Sequence, residues 1–197
     1  VVFGQATSLA INLSAVAAGI GGFVINGQIA YDESGRSVAS AGDINGDGLA
    51  DLIIGAHRSD TSTGNLTGRT YVVFGKSNST ATNLSAIAAG VGGFVINGQA
   101  ARDHSGFSVA SAGDVNGDGL GDLIIGAYGS DTEAGTDAGR SYVVFGKSSS
   151  EAIELFAVAA GAGGFVINGQ GASDRSGLSF ASAGDINGDG LADLIVG

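Results

Sequence analysis

One interval governs this sequence: 71 residues. The segment GDINGDG begins at Gly42, returns as GDVNGDG at Gly113 and again as GDINGDG at Gly184. VVFG starts at Val1, Val72 and Val143, and GGFVINGQ at Gly21, Gly92 and Gly163, on the same spacing and without gaps. A chain of near-identical units at a fixed period folds as an array of one supersecondary structure, each unit burying its apolar face against the next.

Each period carries four strand signals. SVASAGD (Ser37–Asp43) alternates as a strand does but is built from Ser, Ala and Gly, whereas DLIIGA (Asp51–Ala56), YVVFG (Tyr71–Gly75) and GFVING (Gly93–Gly98) are short apolar runs. Between the third and fourth lies NLSAIAAG (Asn83–Gly90), where Ser85 is the predicted cap of a helical turn and Gly90 its end. Four short strands per repeat of this length predict an all-β fold, a β-propeller, with the small-residue strand innermost where blades converge. A stacked solenoid is the rival, but its repeats are generally shorter.

The 197 residues fall 16 short of three periods, and the missing piece matches the connection Ala56–Tyr71. Residues 1–197 are therefore read as one β-propeller segment. It comprises a half-blade at 1–35 (strands three and four), repeat blades at 36–106 and 107–177, and a half-blade at 178–197 (strands one and two). Three blades' worth of strands do not close a ring, since propellers use four to eight. The ring is expected to be completed by another copy, as a six-bladed dimer or a head-to-tail assembly, or by further blades of a parent chain. The absence of Met, even at the first position, points to a processed product or an excerpt.

Each GD-x-NGDG segment opens a nine-residue loop of oxygen donors. Side chains at positions one, three, five and nine are Asp43, Asn45, Asp47 and Asp51; Asp114, Asn116, Asp118 and Asp122; and Asp185, Asn187, Asp189 and Asp193. The backbone carbonyls of Leu49, Leu120 and Leu191 stand at position seven. Such a set suits a hard cation taking six to eight oxygens, and Gly at position six permits the sharp turn around it. Three Ca²⁺ per chain are expected. Mg²⁺ fits less well because it gives up its waters reluctantly. An EF-hand would need a bidentate Glu at position twelve, where Ile54, Ile125 and Val196 stand in a strand pattern. Asx-Gly turns that merely join strands are the plainer alternative, but three carboxylates within nine residues repel one another without a cation.

Composition narrows the partners. With 8 Lys and Arg against 19 Asp and Glu, a net charge of −11 offers no basic patch for nucleic acid or anionic lipid. Nine of those 19 acids sit in the loops, and three divalent ions would bring the charge to −5. There is no Cys for a disulfide, thiolate or redox site. The apolar stretch Ala15–Ile25 is too short for a membrane span and broken by glycines.

The pattern SGxSxASAGDxNGDGLxDLIxGA, complete in two repeats and running to Gly197 in the third, resembles the FG-GAP repeat of integrin α-subunit propellers and bacterial surface proteins. The resemblance implies a calcium loop joining the first and second strands of each blade, away from the ligand-binding face, and an extracellular or cell-surface location. The family's Phe-Gly is here Ser34-Gly35, Ser105-Gly106 and Ser176-Gly177, and its Gly-Ala-Pro is Gly55-Ala56-His57 and Gly126-Ala127-Tyr128. Neither departure touches a ligand position.

The remaining polar residues read as structure. Asp32, Asp103 and Asp174 recur at the period before a Ser-Gly turn, as turn caps or as a carboxylate rim. His57 and His104 are not equivalent positions and are expected at the surface. Asn12-Leu-Ser14 and Asn65-Leu-Thr67 are sequons, relevant only in a glycosylating host. No catalytic constellation can be picked out by spacing, so no enzyme is expected. The expected function is a calcium-binding extracellular module for adhesion or for binding protein or glycan, the ions rigidifying each blade. The alternative is a structural spacer or building block of an extracellular assembly or filament. A non-repeated polar or aromatic patch on the loops would favour binding, and uniform faces would favour the structural role.

Overall fold

The computed structural model describes residues 1–6 and 8–197. Two four-stranded antiparallel units dominate it. In the first, β2 (Ser37–Gly42), β3 (Asp51–Ala56), β4 (Arg69–Val73) and β6 (Gly93–Asn97) lie side by side in chain order. In the second, β7 (Ser108–Gly113), β8 (Asp122–Ala127), β9 (Arg140–Val144) and β11 (Gly164–Asn168) repeat the same order. The register repeats as well: Leu52 faces Val73 and Ile53 faces Val72, as Leu123 faces Val144 and Ile124 faces Val143. This all-β architecture of consecutive meander sheets is consistent with a β-propeller.

The two sheets pack face to face, which explains their nearly unbroken apolar strands. Ile53, Val72 and Phe94 meet Leu123, Ile125, Tyr142 and Val144 in one buried cluster, while Ile54, Tyr71 and Val73 point the other way into a second. Alternate residues of one strand thus serve two cores. The buried Tyr71 and Tyr142 rings reach polar partners one repeat back, their hydroxyls donating to Gln28 and Gln99 Oε1 at 2.7 Å.

The chain ends are less complete. At the C-terminus β12 (Phe180–Gly184) and β13 (Asp193–Val196) form a two-stranded sheet. At the N-terminus the expected third strand shrinks to one bridge, Val2 with Gly22. Strand β1 (Ile25–Asn26) pairs with β5 (Thr82–Asn83) of the next repeat, in parallel. The short β10 (Ile153–Glu154) likewise joins β6, and Asn97 Nδ2 donates to Glu154 Oε1 at 2.7 Å. Sequence reading missed this stitching because two-residue strands carry no periodicity.

The helices α2 (Leu84–Ala88) and α3 (Leu155–Ala159) follow the stitching strands β5 and β10 directly, and α1 (Leu13–Ala17) is their counterpart ahead of β1. The expected cap is corrected: Ser85 lies inside α2, and Asn83 occupies the N-cap position without a side-chain hydrogen bond. Asn83 must stay extended to pair with Asn26, so the helix begins after it. No helix among the described residues is long and apolar enough to cross a membrane.

Candidate functional site

Each acidic loop joins the first strand of a sheet to the second. A register shift between Ser40 and Gly42 turns the chain out of β2, with Gly42 at φ +73°, a conformation that side chains resist. The Asp43 carboxylate then gathers the loop. Its Oδ1 accepts from the N–H groups of Gly46 (2.8 Å) and Asp47 (3.1 Å), and its Oδ2 accepts from Gly48 (2.9 Å). Asn45 Oδ1 accepts from Asp47 N and Asp47 Oδ1 from Leu49 N. Asp114 and Asp185 repeat the set in the other two loops.

The ninth position behaves differently. Asp51 and Asp122 are fully buried, and each joins distant parts of its repeat. Asp51 Oδ2 accepts from Ile44 N at 2.9 Å and its Oδ1 from Gly75 N at 2.7 Å; Asp122 holds Val115 and Gly146 in the same way. This explains the glycine of VVFG: a Cβ on Gly75 would come 2.6 Å from Leu49 Cβ and 2.8 Å from the Ala50 carbonyl oxygen. Burial pushes both carboxyls above the usual range. Their two N–H partners oppose the shift, and the nearby carboxylates of the same loop add to it. In the third loop Asp193 is only half-buried and accepts through Oδ2 alone, from Ile186 and Asn187.

The structure therefore brings the first, third and fifth side chains of every loop into one hydrogen-bonded cluster, with the ninth anchored beneath. No group of three or more His, Cys, Asp or Glu side chains converges as a metal centre among the described residues. The donor chemistry nevertheless fits a hard cation: every donor is an oxygen, and the carboxylates at positions one and five act on the ninth as like charges. Neighbouring loops are also joined, since Asp43 and Asp114 carbonyls accept from Gly121 and Ala192 N–H at 2.9 and 3.0 Å.

Residues 34–73, 105–144 and 176–197 match the model of the FG-GAP repeat. The chain belongs to the FG-GAP repeat family. It is also similar to Integrin alpha-PS2 of Drosophila melanogaster, 32% identical over 160 residues that make up 79% of this chain and 10% of that protein. The chain thus spans about a tenth of that relative's length. The three FG-GAP matches begin just before the first strand and include the acidic loop each time.

At the opposite end of the sheets, the loop after each second strand pairs with the crossover into the next repeat. Arg102, His104 and Ser105 N–H donate to the carbonyls of Asn65, Leu66 and Thr67, and Ser173, Arg175 and Ser176 repeat this on Thr136, Asp137 and Ala138. This pairing corrects the expectation for the histidines. His57 is buried, 5.9 Å from His104 between ring centroids and edge-on to Phe107, because the junction of repeats brings these positions together. Burial lowers the His57 pKa to about 4, against the pull of Glu33.

The recurring aspartates divide. Asp103 Oδ2 accepts from Ala100 N at 3.2 Å, as a turn cap does, whereas the buried Asp32 Oδ2 has no partner among the described residues. Burial raises the Asp103 pKa to about 6 from 3.8. A carboxyl whose pKa rises on folding stabilises fully below the unfolded value and loses that contribution as pH climbs through the folded one. Asp103→Asn is expected to raise stability by about 1–2 kcal/mol above pH 6 and to lose this advantage below pH 4. Denaturant titrations at pH 8 and pH 4 check this, and an equal effect at both would refute it.

Proposed function

We propose that this chain is a calcium-binding extracellular module of β-propeller type that serves adhesion or the binding of protein or glycan. One observation carries the reading. Three equivalent loops present only oxygen donors, crowd carboxylates together and tie each repeat's loop to its neighbour's, so an ion in each loop would rigidify the whole array. Asp43, Asn45, Asp47, the Leu49 carbonyl and Asp51 would hold the first ion, and their equivalents the other two. The ion's contribution is electrostatic: it offsets the mutual repulsion of these carboxylates. The module binds and does not catalyse. The family membership and the integrin α relative support an adhesive role at a cell surface.

Internal pairings supply a template for the blades beyond the two complete sheets. Shifted by whole repeats, the β3–β4 register sets Leu194 against Val2 and Ile195 against Val1 of a following unit. The Asp51–Gly75 bond becomes Asp193 with Gly4. The exposed Ile195, Val1 and Val2 would be covered by this pairing. A second copy or a further repeat of the same kind can supply the strands, and reciprocal pairing of two copies makes six blades.

Calorimetry with calcium-free protein tests the reading. Three sites are expected, two alike and a third weaker, because Asp193 lacks the second anchor that Asp51 and Asp122 possess. Fewer than two sites, or equal preference for Mg²⁺, would refute the loop assignment. Light scattering should show twice the 19.1 kDa chain mass if copies complete one another, with the third site then matching the others. A stable monomer would refute assembly through a second copy.

A further inference from the structure

Between two repeats this similar, differences are informative. From Gln28 to Gly75 and from Gln99 to Gly146, the calcium loop changes only from Ile44 to Val115 and from Ala50 to Gly121. Changes of charge or aromaticity gather at the other end of the sheets, among them Tyr31 to Arg102, Glu33 to His104, His57 to Tyr128, Arg58 to Gly129 and Leu66 to Asp137. In the third repeat, Arg175 takes the place of Glu33. Tyr31 and Leu66 in the first repeat, and Arg102, His104, Tyr128 and Asp137 with Arg175 one repeat on, line a recurring cleft. At the first junction it measures about 360 Å³ and is walled by Ile29, Tyr31 and Leu66 together with Asp32, Arg58 and Asp60. One repeat on it measures about 570 Å³, and its walls carry Arg102, Tyr128, Asp137, Arg140 and Arg175.

Much of the polar capacity of the second cleft is already used. Arg140 donates from Nε to Asn168 and from Nη1 to Gln99, both at 2.8 Å. Asp131 accepts from Asp137 N at 2.9 Å. Arg102 and Arg175 are exposed and make no side-chain hydrogen bond or ion pair among the described residues, and the half-buried Asp137 carboxylate has no hydrogen-bond donor there either. Two guanidinium groups are thus left unmatched in a chain that has only eight Lys and Arg. Beside them the Tyr128 ring lies flat on His104, with centroids 5.2 Å apart.

We propose that this cleft binds a saccharide bearing a carboxylate, with Arg102 and Arg175 holding the carboxylate and Asp137 accepting from ring hydroxyls. A guanidinium fork matches a carboxylate in shape and charge. An Asp- or Glu-rich peptide would set further carboxylates against Asp137 and Asp131, whereas a uronic acid brings one carboxylate per ring among hydroxyl donors. The proposal rests on the ligand-binding reading above and names its site and ligand class.

Exchange of residues between repeats makes a test that spares the fold. Tyr31 and Arg102 share φ values of +70° and +68°, and Glu33 and Arg175 of +54° and +55°, so Arg102→Tyr and Arg175→Glu place residues this backbone already accepts. The full chain in calcium is titrated calorimetrically with a hyaluronan tetrasaccharide, its carboxyl-reduced counterpart and tetraglutamate. Binding of the acidic saccharide alone, weakened about tenfold or more by either substitution, is the expected result. No binding at millimolar concentration, equal binding of the reduced sugar or of the peptide, or unchanged affinity in both variants would overturn the proposal. Melting curves with and without calcium separate the two readings. A calcium shift without saccharide binding defeats the cleft alone, and the loss of that shift defeats the module reading.

Discussion

Chelating calcium is expected to lower the melting temperature by about 10 °C or more. At a free concentration ten times Kd, each site adds about 1.4 kcal/mol, so three add about 4 kcal/mol, a large share of a domain's typical stability. For a chain of this size each kcal/mol moves the midpoint by about 2–4 °C. Asp118→Ala should reproduce part of the drop. It removes one loop carboxylate and leaves Leu120 N–H, which donates to Asp118 Oδ1 at 2.8 Å, without its acceptor. Differential scanning calorimetry in calcium and in chelator is the measurement. Superimposable curves would show that the loops are turns and nothing more.

Gly126→Ala should be more damaging, although it adds one methyl group. A Cβ there would stand 2.0 Å from the Gly177 carbonyl oxygen and 2.2 Å from Ser108 Oγ. A Cβ on Gly55 would likewise stand 1.9 Å from the Gly106 carbonyl oxygen, so these glycines let the second strand of one repeat touch the crossover into the next. Relief requires the repeats to separate, at a cost of about 3 kcal/mol or more. Gly119→Ala is the control: it keeps a positive φ of +86° but meets nothing within 4 Å, and should cost only about 1 kcal/mol. Equal losses from the two substitutions in urea titrations would mean that the contact between repeats at Gly126 carries no special cost.

The repeat period, the all-β class, the four strands per unit and the membership of the acidic loops were legible in the residues alone. These depend on local spacing: alternation on a pleated strand, Gly at turns of positive φ, Asx side chains beside the N–H groups they accept from. The first-strand segment reads SVASAG in both Ser37–Gly42 and Ser108–Gly113, and both form the strand expected of it. Yet Val38 is 64% exposed and Val109 only 7%. The difference comes from the sheet that packs on β7 and has no counterpart at β2, which no local pattern encodes. Asp51 and Asp193 share a motif position, but only Asp51 reaches a second segment of chain, because its second donor, Gly75, lies 24 residues away, just past the end of β4. His57 and His104, unrelated by period, meet only where a loop and a crossover align across a junction of repeats. Local chemistry therefore determined what each unit is. Tertiary contacts, which bring distant residues together without any sequence spacing to announce them, decided the rest: pairing within a sheet set which carboxylates are held, and packing between units set which side chains are buried and where the clefts lie.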